Sequence, residues 1–544
     1  MHRRLRGLPG GLDASRLRAL IIDEGELTRS VLSTMLRDIG VQHVHSARRP
    51  ESARRMIKDA VPAYDIIITD FHFSRHSAHD LTGQDLLDEL RQAKGLPMQT
   101  AFIMVTDEAR YNHVADAVEG ALDDYLLKPF TARQFEERLQ VILERKHALR
   151  EVFAAIESGD FAAAAQLCEA IFAASTTYKV YAARIGSELY LRLGQIDAAR
   201  RMFEALLAFK AVPWARLGLA KIDLANSDTQ VACRTLETLL AENPAYVDAY
   251  DVYGRALLEE MDFAAAVEMF GKAVQITPGN VARLQKLGSL QLFLGYSDAA
   301  AKHLGAALSI GQFSRTLDYQ GVVALGIACV DQADADECER ALKCLQEALA
   351  RYPAYSFRLQ TLQLTLECAL ALILRRSDAV LAGLAKLGSQ LDNPEFTFEM
   401  ACNLLQLLAR SAGQQGIPDA LPWAQRAARR FAISRPRTRL LEMAASPLVS
   451  LESAVHKASA QINEAAREAM SHLVSKQHQR TLDALMELAQ ASLNMRIINL
   501  ARATLAHHGQ HLPKPDAECM REDIEELHAR YVDGGRRIVE RKGW

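Results

Sequence analysis

The sequence has only eight cysteines in 544 residues, and no two of them form a CxxC pair or an evenly spaced framework. Cys168, Cys233, Cys338 and Cys402 are scattered, which argues against a disulfide scaffold or a cysteine zinc motif and fits buried thiols in a reducing compartment. Neither sign of charge dominates. Charged residues are 24% of the chain and the formal net charge is -3, so no global field draws the molecule to nucleic acid or a membrane surface. No apolar run approaches the roughly 20 residues that span a bilayer. The basic stretch from Met1 to Gly11 is not followed by the apolar core of a secretory signal. Beyond Arg150 there is no Gly-rich phosphate loop, paired metal motif or recognisable Ser/His/Asp arrangement, so an enzymatic output is not expected. A chain of this length exceeds one core, and the expectation is a cytoplasmic protein of several domains, or of one domain and a repeat array.

What is present falls into two styles. Up to about Arg150, short β-rich runs alternate with amphipathic stretches. Ala19–Ile22, Val41–His45, Asp65–Thr69, Ala101–Thr106 and Asp124–Leu127 are expected strands; Thr28–Ile39, Glu51–Ala60, Gln84–Arg91 and Tyr111–Glu119 are expected helices. That alternation implies a doubly wound α/β domain on a five-stranded parallel sheet, with its functional groups at the C-terminal strand ends.

After Arg150 the chain is Ala/Leu-rich and helical, with a period of roughly 34 residues. In the clearest unit, Tyr250, Tyr253, Gly254 and Leu257 share one helix, Asp262, Phe263, Ala266, Phe270 and Ala273 the next, and Pro278 closes it. Gly194, Ala199, Phe203 and Leu206 fit the same register, as do Trp214, Leu217, Gly218, Ala232, Leu236 and Pro244, and Leu284, Leu287, Gly288, Gly295, Ala300, Leu304 and Ala307. Worn units begin at Gly159-Asp160-Phe161 and near Ala341. Small residues let paired helices approach, large ones fill the gap, and proline ends the pair. The series resembles the tetratricopeptide repeat, which implies an all-α helical solenoid. Past Ala354 the phase is lost, although Ser475–His507 looks like one more helix pair.

Chemistry-bearing residues sit at the expected strand ends. Asp23 and Glu24 follow the first strand, Asp70 the third, Thr106 ends the fourth, and Lys128-Pro129 follow the fifth. Over about the first 150 residues this pattern resembles the receiver domains of two-component response regulators. The resemblance implies that Asp70 is the phosphoacceptor, and that Asp23, Glu24 and Asp70 hold Mg²⁺ together with the backbone carbonyl of His72. It also implies that Thr106 and Lys128 bind the phosphoryl oxygens, that Thr106 and Tyr125 form the switch, and that a sensor histidine kinase or phosphotransfer protein is the donor. The chemistry agrees: an attacking carboxylate is repelled by phosphoryl oxygens unless a hard cation, a lysine and a hydroxyl offset their charge. The expected organisation is a flexible N-terminus at 1–15, a receiver at 16–145, tetratricopeptide-like repeats at 146–354, and further helical repeats or a helical domain at 355–544.

Two departures stand out. The glycine that usually follows the phosphoacceptor by about eight positions is Gly83, thirteen positions after Asp70, so an insertion lies beside the site; and Asp107 replaces a small residue next to Thr106. The competing reading is therefore a constitutive scaffold with a degenerate, phosphorylation-independent receiver. His72, His76 and His79 lie in the inserted loop, where surface histidines are a commoner explanation than a metal site.

From Ala132 to Ser158 there is no proline or glycine, and Phe135, Leu139, Ile142, Leu149, Phe153 and Ile156 make an apolar stripe. One reading packs the stripe first on the sheet and then on the repeats, with a kink between; the other pairs it with a second copy in a homodimeric coiled coil. A partner protein is expected on a repeat groove bearing Arg184, Glu188, Arg192, Asp251, Arg255 and Gln285. The Arg426, Arg429, Arg430, Arg435, Arg437 and Arg439 run lacks a helix-turn-helix pattern, so a solvated or protein-docking patch is expected there, not DNA binding.

Overall fold

The structure, a computed structural model, describes residues 13–70, 73, 83–92, 95–106, 123–174, 177–312, 316–351, 356–411 and 417–533. The expected helix at Tyr111–Glu119, the histidines 72, 76 and 79, and Asp107 lie outside the described residues, and Tyr125 is described in its backbone alone. Packing divides the chain into Met1–Ala256 and Leu257–Trp544, and the division falls inside the helix Val247–Glu259.

In the first unit, five parallel strands, β1 (Arg18–Ile22), β2 (His43–Ala47), β3 (Ile66–Asp70), β4 (Ala101–Thr106) and β5 (Asp124–Leu127), form one sheet in the order β2-β1-β3-β4-β5. Alternate residues serve opposite faces, which is why the strands read as continuous apolar runs. Ala19, Ile21, Ile66, Ile68 and Ile103 face a core closed by Leu32, Leu36, Phe135 and Leu139. Leu20, Ile22, Ile67, Phe102 and Met104 face the other, closed by Ala53, Ile57, Leu86 and Leu87. The chain runs outward from β1 in both directions, so the ends of β1 and β3 flank the crevice where such sheets bind ligands.

The second strand begins two residues later than its sequence implies. Val41 is fully buried, but its N–H donates to Leu36 O at the end of the preceding helix, and pairing with β1 starts only at His43 opposite Arg18. On an edge strand, an apolar residue can anchor the core without joining the ladder.

The stripe after Thr131 behaves as the first reading expects. A helix at Ala132–Ala148 is followed at once by another at Arg150–Glu157, with Leu149 (φ -99°, ψ 8°) between them. Phe135, Leu139, Ile142 and Leu143 complete the sheet's core. Leu149, Val152 and Phe153 begin the next core, with Ala164, Ala165, Cys168, Ala182 and Phe203.

All further described elements are helical. A left-handed residue recurs about every 34 residues between the two helices of a pair, at Gly159, Gly194 and Ser227 in the first unit and at Met261 and Gly295 in the second. Asp160 and Asp262 each follow such a residue and cap the next helix by accepting from Ala163 N–H and Ala265 N–H, at 2.9 and 3.0 Å. The small positions do the work their pattern implies: a Cβ on Gly218 would sit 2.4 Å from the Phe203 ring, and one on Gly288 2.6 Å from Leu304 Cγ.

The same devices continue past residue 354. Arg375 takes the left-handed turn (φ 55°) between Ser356–Ile373 and Ser377–Ser389, and Gly383 lies against Cys368 Sγ. The 26-residue helix Val449–Val474 then contributes Leu451 and Val455 to one core and Ile462, Ala466 and Ala469 to another. Ser475–His507 is indeed a helix pair, His478–Ser492 and Met495–His508. No helix among the described residues is long and apolar enough to cross a membrane.

Candidate functional site

Asp23 leaves the sheet at the end of β1 and is only 3% exposed. Its Oδ1 accepts from Gly25 N–H at 2.7 Å, and its backbone carbonyl accepts from Arg29 at 2.6 Å, so the loop is held from both sides. Its Oδ2 is buried without a hydrogen-bond partner; the nearest cation, Lys128 Nζ, is 3.6 Å away, an ion pair beyond hydrogen-bond reach. The same Nζ lies 3.3 Å from Asp70 Oδ2 at the end of β3. Glu24 is half-buried beside Asp23. Thr106 ends β4 with 3% exposure, and its carbonyl accepts from Lys128 N–H at 2.8 Å.

Register explains the convergence. Asp70 is opposite Val105, and Thr106 is opposite Leu127, so one level of the sheet carries Asp70, Thr106 and, one residue on, Lys128. Gly83 opens the third helix against this level: a Cβ there would stand 2.5 Å from the Asp70 carbonyl oxygen. Although it comes thirteen positions after Asp70, the glycine returns the chain to the end of β3.

Asp23, Asp70 and Lys128 are thus brought together, with Glu24 and Thr106 adjoining. A buried carboxylate oxygen lacking a donor is costly unless a cation completes it. Carboxylate oxygens, one buried and the others partly reached by solvent, suit a hard, partly hydrated Mg²⁺. The residues present fit that ion; the His72 carbonyl expected to assist lies outside the described residues.

A second cluster joins this domain to the first repeat, and it escaped sequence reading because its members are far apart along the chain. Asp123, just before β5, receives Phe102 N–H at 2.9 Å on Oδ2, while its Oδ1 is 2.9 Å from Lys146 Nζ and 3.2 Å from Arg145. Lys146 also donates to Met98 O at 2.6 Å, and Met98 N–H donates to Glu157 at 2.6 Å. Burial holds the Lys146 pKa below that of a free lysine, with Asp123 opposing the shift. Arg145 stacks over Tyr181, 4.5 Å from the ring centroid. The helix thus carries charged contacts from the start of β5 to the repeats.

The expected groove residues divide. Arg184 lies over Trp214 (5.6 Å) and 4.0 Å from Glu188, Arg192 lies over Phe161 (4.0 Å), Asp251 is half-buried and Arg255 is exposed. Gln285 corrects the expectation. It is buried, and its amide exchanges hydrogen bonds with the Asp318 backbone at 2.7 and 2.9 Å, so it braces the fold and does not face a partner. The arginine run is corrected at Arg430, which is buried, donates to Leu391 O, Asn393 O (2.9 Å) and Phe396 O (3.3 Å), and has its pKa lowered by burial to about 10. Arg426 pairs with Asp392, and Arg439 with Glu442 at 3.1 Å.

The family model for the response regulator receiver domain matches residues 19–140. The chemotaxis protein CheY-3 of Vibrio cholerae is 30% identical over 132 residues, which is 24% of this chain and 93% of that protein. A response regulator receiver domain protein from Clostridium thermocellum, of known crystal structure, is 22% identical, covering 24% of this chain and 98% of that one with a TM-score of 0.21. The C-terminal part of a TPR repeat-containing protein from Cytophaga hutchinsonii is 15% identical, covering 44% and 93% respectively, with a TM-score of 0.34.

Proposed function

The chain belongs, through its N-terminal domain, to the response regulator receiver family, and on that premise we propose that it is a phosphorylation-controlled binding protein: a sensor histidine kinase or phosphotransfer protein phosphorylates Asp70, and the change alters protein binding by the helical repeats. One observation carries the reading: Lys128 Nζ stands between Asp70 Oδ2 (3.3 Å) and Asp23 Oδ2 (3.6 Å), the latter buried without a hydrogen bond.

In this reading Asp23, Glu24 and Asp70 hold Mg²⁺, which supplies the positive charge that lets a carboxylate approach a phosphoryl group. Asp70 attacks phosphorus through a carboxylate oxygen and the donor's bond to phosphorus breaks, leaving an acyl phosphate. Lys128 follows the phosphoryl oxygens as a point charge, and Thr106 turns its hydroxyl to donate to one of them. Tyr125 follows Thr106 as the switch residue, and the signal leaves through the helix that begins at Ala132. The output is binding, with no reaction at the repeats, and Arg184, Glu188, Arg192, Asp251 and Arg255 are the residues proposed to meet the partner.

Incubation of the full chain with Mg²⁺ and acetyl phosphate tests this. The wild type gains one hydroxylamine-labile phosphoryl group and the Asp70→Asn variant gains none. Equal labelling of the two, or none in either, leaves the constitutive scaffold as the answer.

A further inference from the structure

In the C-terminal part of the second unit, three histidines from separate elements converge. His478 is the first residue of the helix His478–Ser492, His508 the last of the helix Met495–His508, and His511 ends the short turn Gly509–His511. One ring nitrogen from each lies within 4.8 Å of the others. The His478 ring stacks on His511 at 4.5 Å and on His508 at 5.0 Å between centroids, both at 19°. The Nδ1 of His478 is buried and has no hydrogen-bond partner.

The packing beneath does not require imidazoles. Leu482, Leu485, Ile497, Leu505 and Leu512 hold the two helices and the turn together, and any side chain of suitable size would stand above them. Imidazoles in a stack are poorly placed for bonding one another, since their ring-edge donors and acceptors point away from the neighbouring face. A buried ring nitrogen without a partner is a cost that a ligand removes. We propose that His478, His508 and His511 form a binding site for a borderline divalent transition metal, Zn²⁺ being the best match.

A cluster of three imidazoles without a carboxylate, among the described residues, disfavours the hard ions Mg²⁺ and Ca²⁺ and suits zinc. Zinc–nitrogen bonds are about 2.0–2.1 Å, so tetrahedral donors stand about 3.3 Å apart. The ring nitrogens now lie within 4.8 Å of one another, so side-chain rotation must both close that spacing and turn their in-plane lone pairs toward one point. His508, at a helix C-terminus, puts the cation near a partial negative charge; His478, at an N-terminus, opposes it, and the two effects offset. Three protein ligands leave a fourth position for water or an exchangeable anion. The bound metal clips the start of one helix to the end of the next.

The test uses the full chain with any affinity tag removed, in excess Mg²⁺ so that the carboxylate site does not contribute. Zn²⁺ is titrated against a chromophoric chelator, and Co²⁺ is added separately to read coordination from its visible spectrum. Each of His478→Gln, His508→Gln and His511→Gln weakens one equivalent of Zn²⁺ binding by at least about tenfold and removes the tetrahedral Co²⁺ bands. His507→Gln, an exposed neighbour outside the cluster, leaves both unchanged. Circular dichroism spectra matching wild type establish that the variants fold. Absence of a Zn²⁺ equivalent in the wild type overturns the site, as does binding that survives all three substitutions.

Discussion

At the scale of single residues, the left-handed turn positions separate backbone preference from packing. Gly194 takes φ 71° with nothing within 4 Å of where a Cβ would be, while Ser227 takes φ 66° at the equivalent turn one repeat later and is exposed. A non-glycine residue in this region pays roughly 1–2 kcal/mol. Gly194→Ala is expected to lower stability by about 1 kcal/mol, and Ser227→Gly to raise it by about 0.5 kcal/mol once the extra unfolded-state entropy of glycine is deducted. Urea midpoints of the two variants check the opposite signs; a loss in both would mean that the turns are set by something other than φ. Gly159, Gly194 and Gly295 announce these turns in the sequence. Ser227, Met261 and Arg375 do not, because a lone polar or apolar residue in a helix-rich stretch carries no mark of positive φ.

At the scale of elements, the helix after Thr131 links two cores through one buried lysine. With its pKa held below 10.5 by burial, Lys146 loses its proton in the folded protein at a lower pH than in the unfolded chain. Between those two values the unfolded chain binds more protons, so this residue's contribution to stability rises with pH through that window. Lys146→Met is expected to remove that rise, so that the urea midpoint of the wild type gains on the variant's as pH approaches 10.5. Parallel curves would contradict it. The helix itself, its stripe and its lack of a proline or glycine were legible in the sequence; the Asp123 and Met98 partners were not, because hydrogen-bond partners 23 and 48 residues away leave no periodic trace.

At the scale of the whole molecule, the burial of Phe135, Leu139 and Ile142 against the sheet leaves the coiled-coil reading of that stripe without its seam. Val141, on the same helix, is 55% exposed and marks the face a second copy would have to use. Val141→Glu is expected to leave the sedimentation coefficient of the full chain unchanged, with and without beryllofluoride. A shift from dimer to monomer on this substitution would restore the helix as a dimer interface.

The order of the strands and of the described helices, the strand-end acids, hydroxyl and lysine, and the phase of the repeats up to Ala348 were determined by the sequence alone. Each is a local pattern: period two or 3.6, a cap, a small residue at fixed spacing, a group the chemistry needs at a strand end. Only the tertiary structure decided that Gln285 and Arg430 face inward, that the helical devices continue past residue 354, that Asp23 keeps a buried oxygen without a donor, and that His478 meets His508 and His511. These depend on which distant surfaces pack together. Apolar burial drives that packing without direction, and so brings together polar groups whose spacing in the chain carries no record of the encounter.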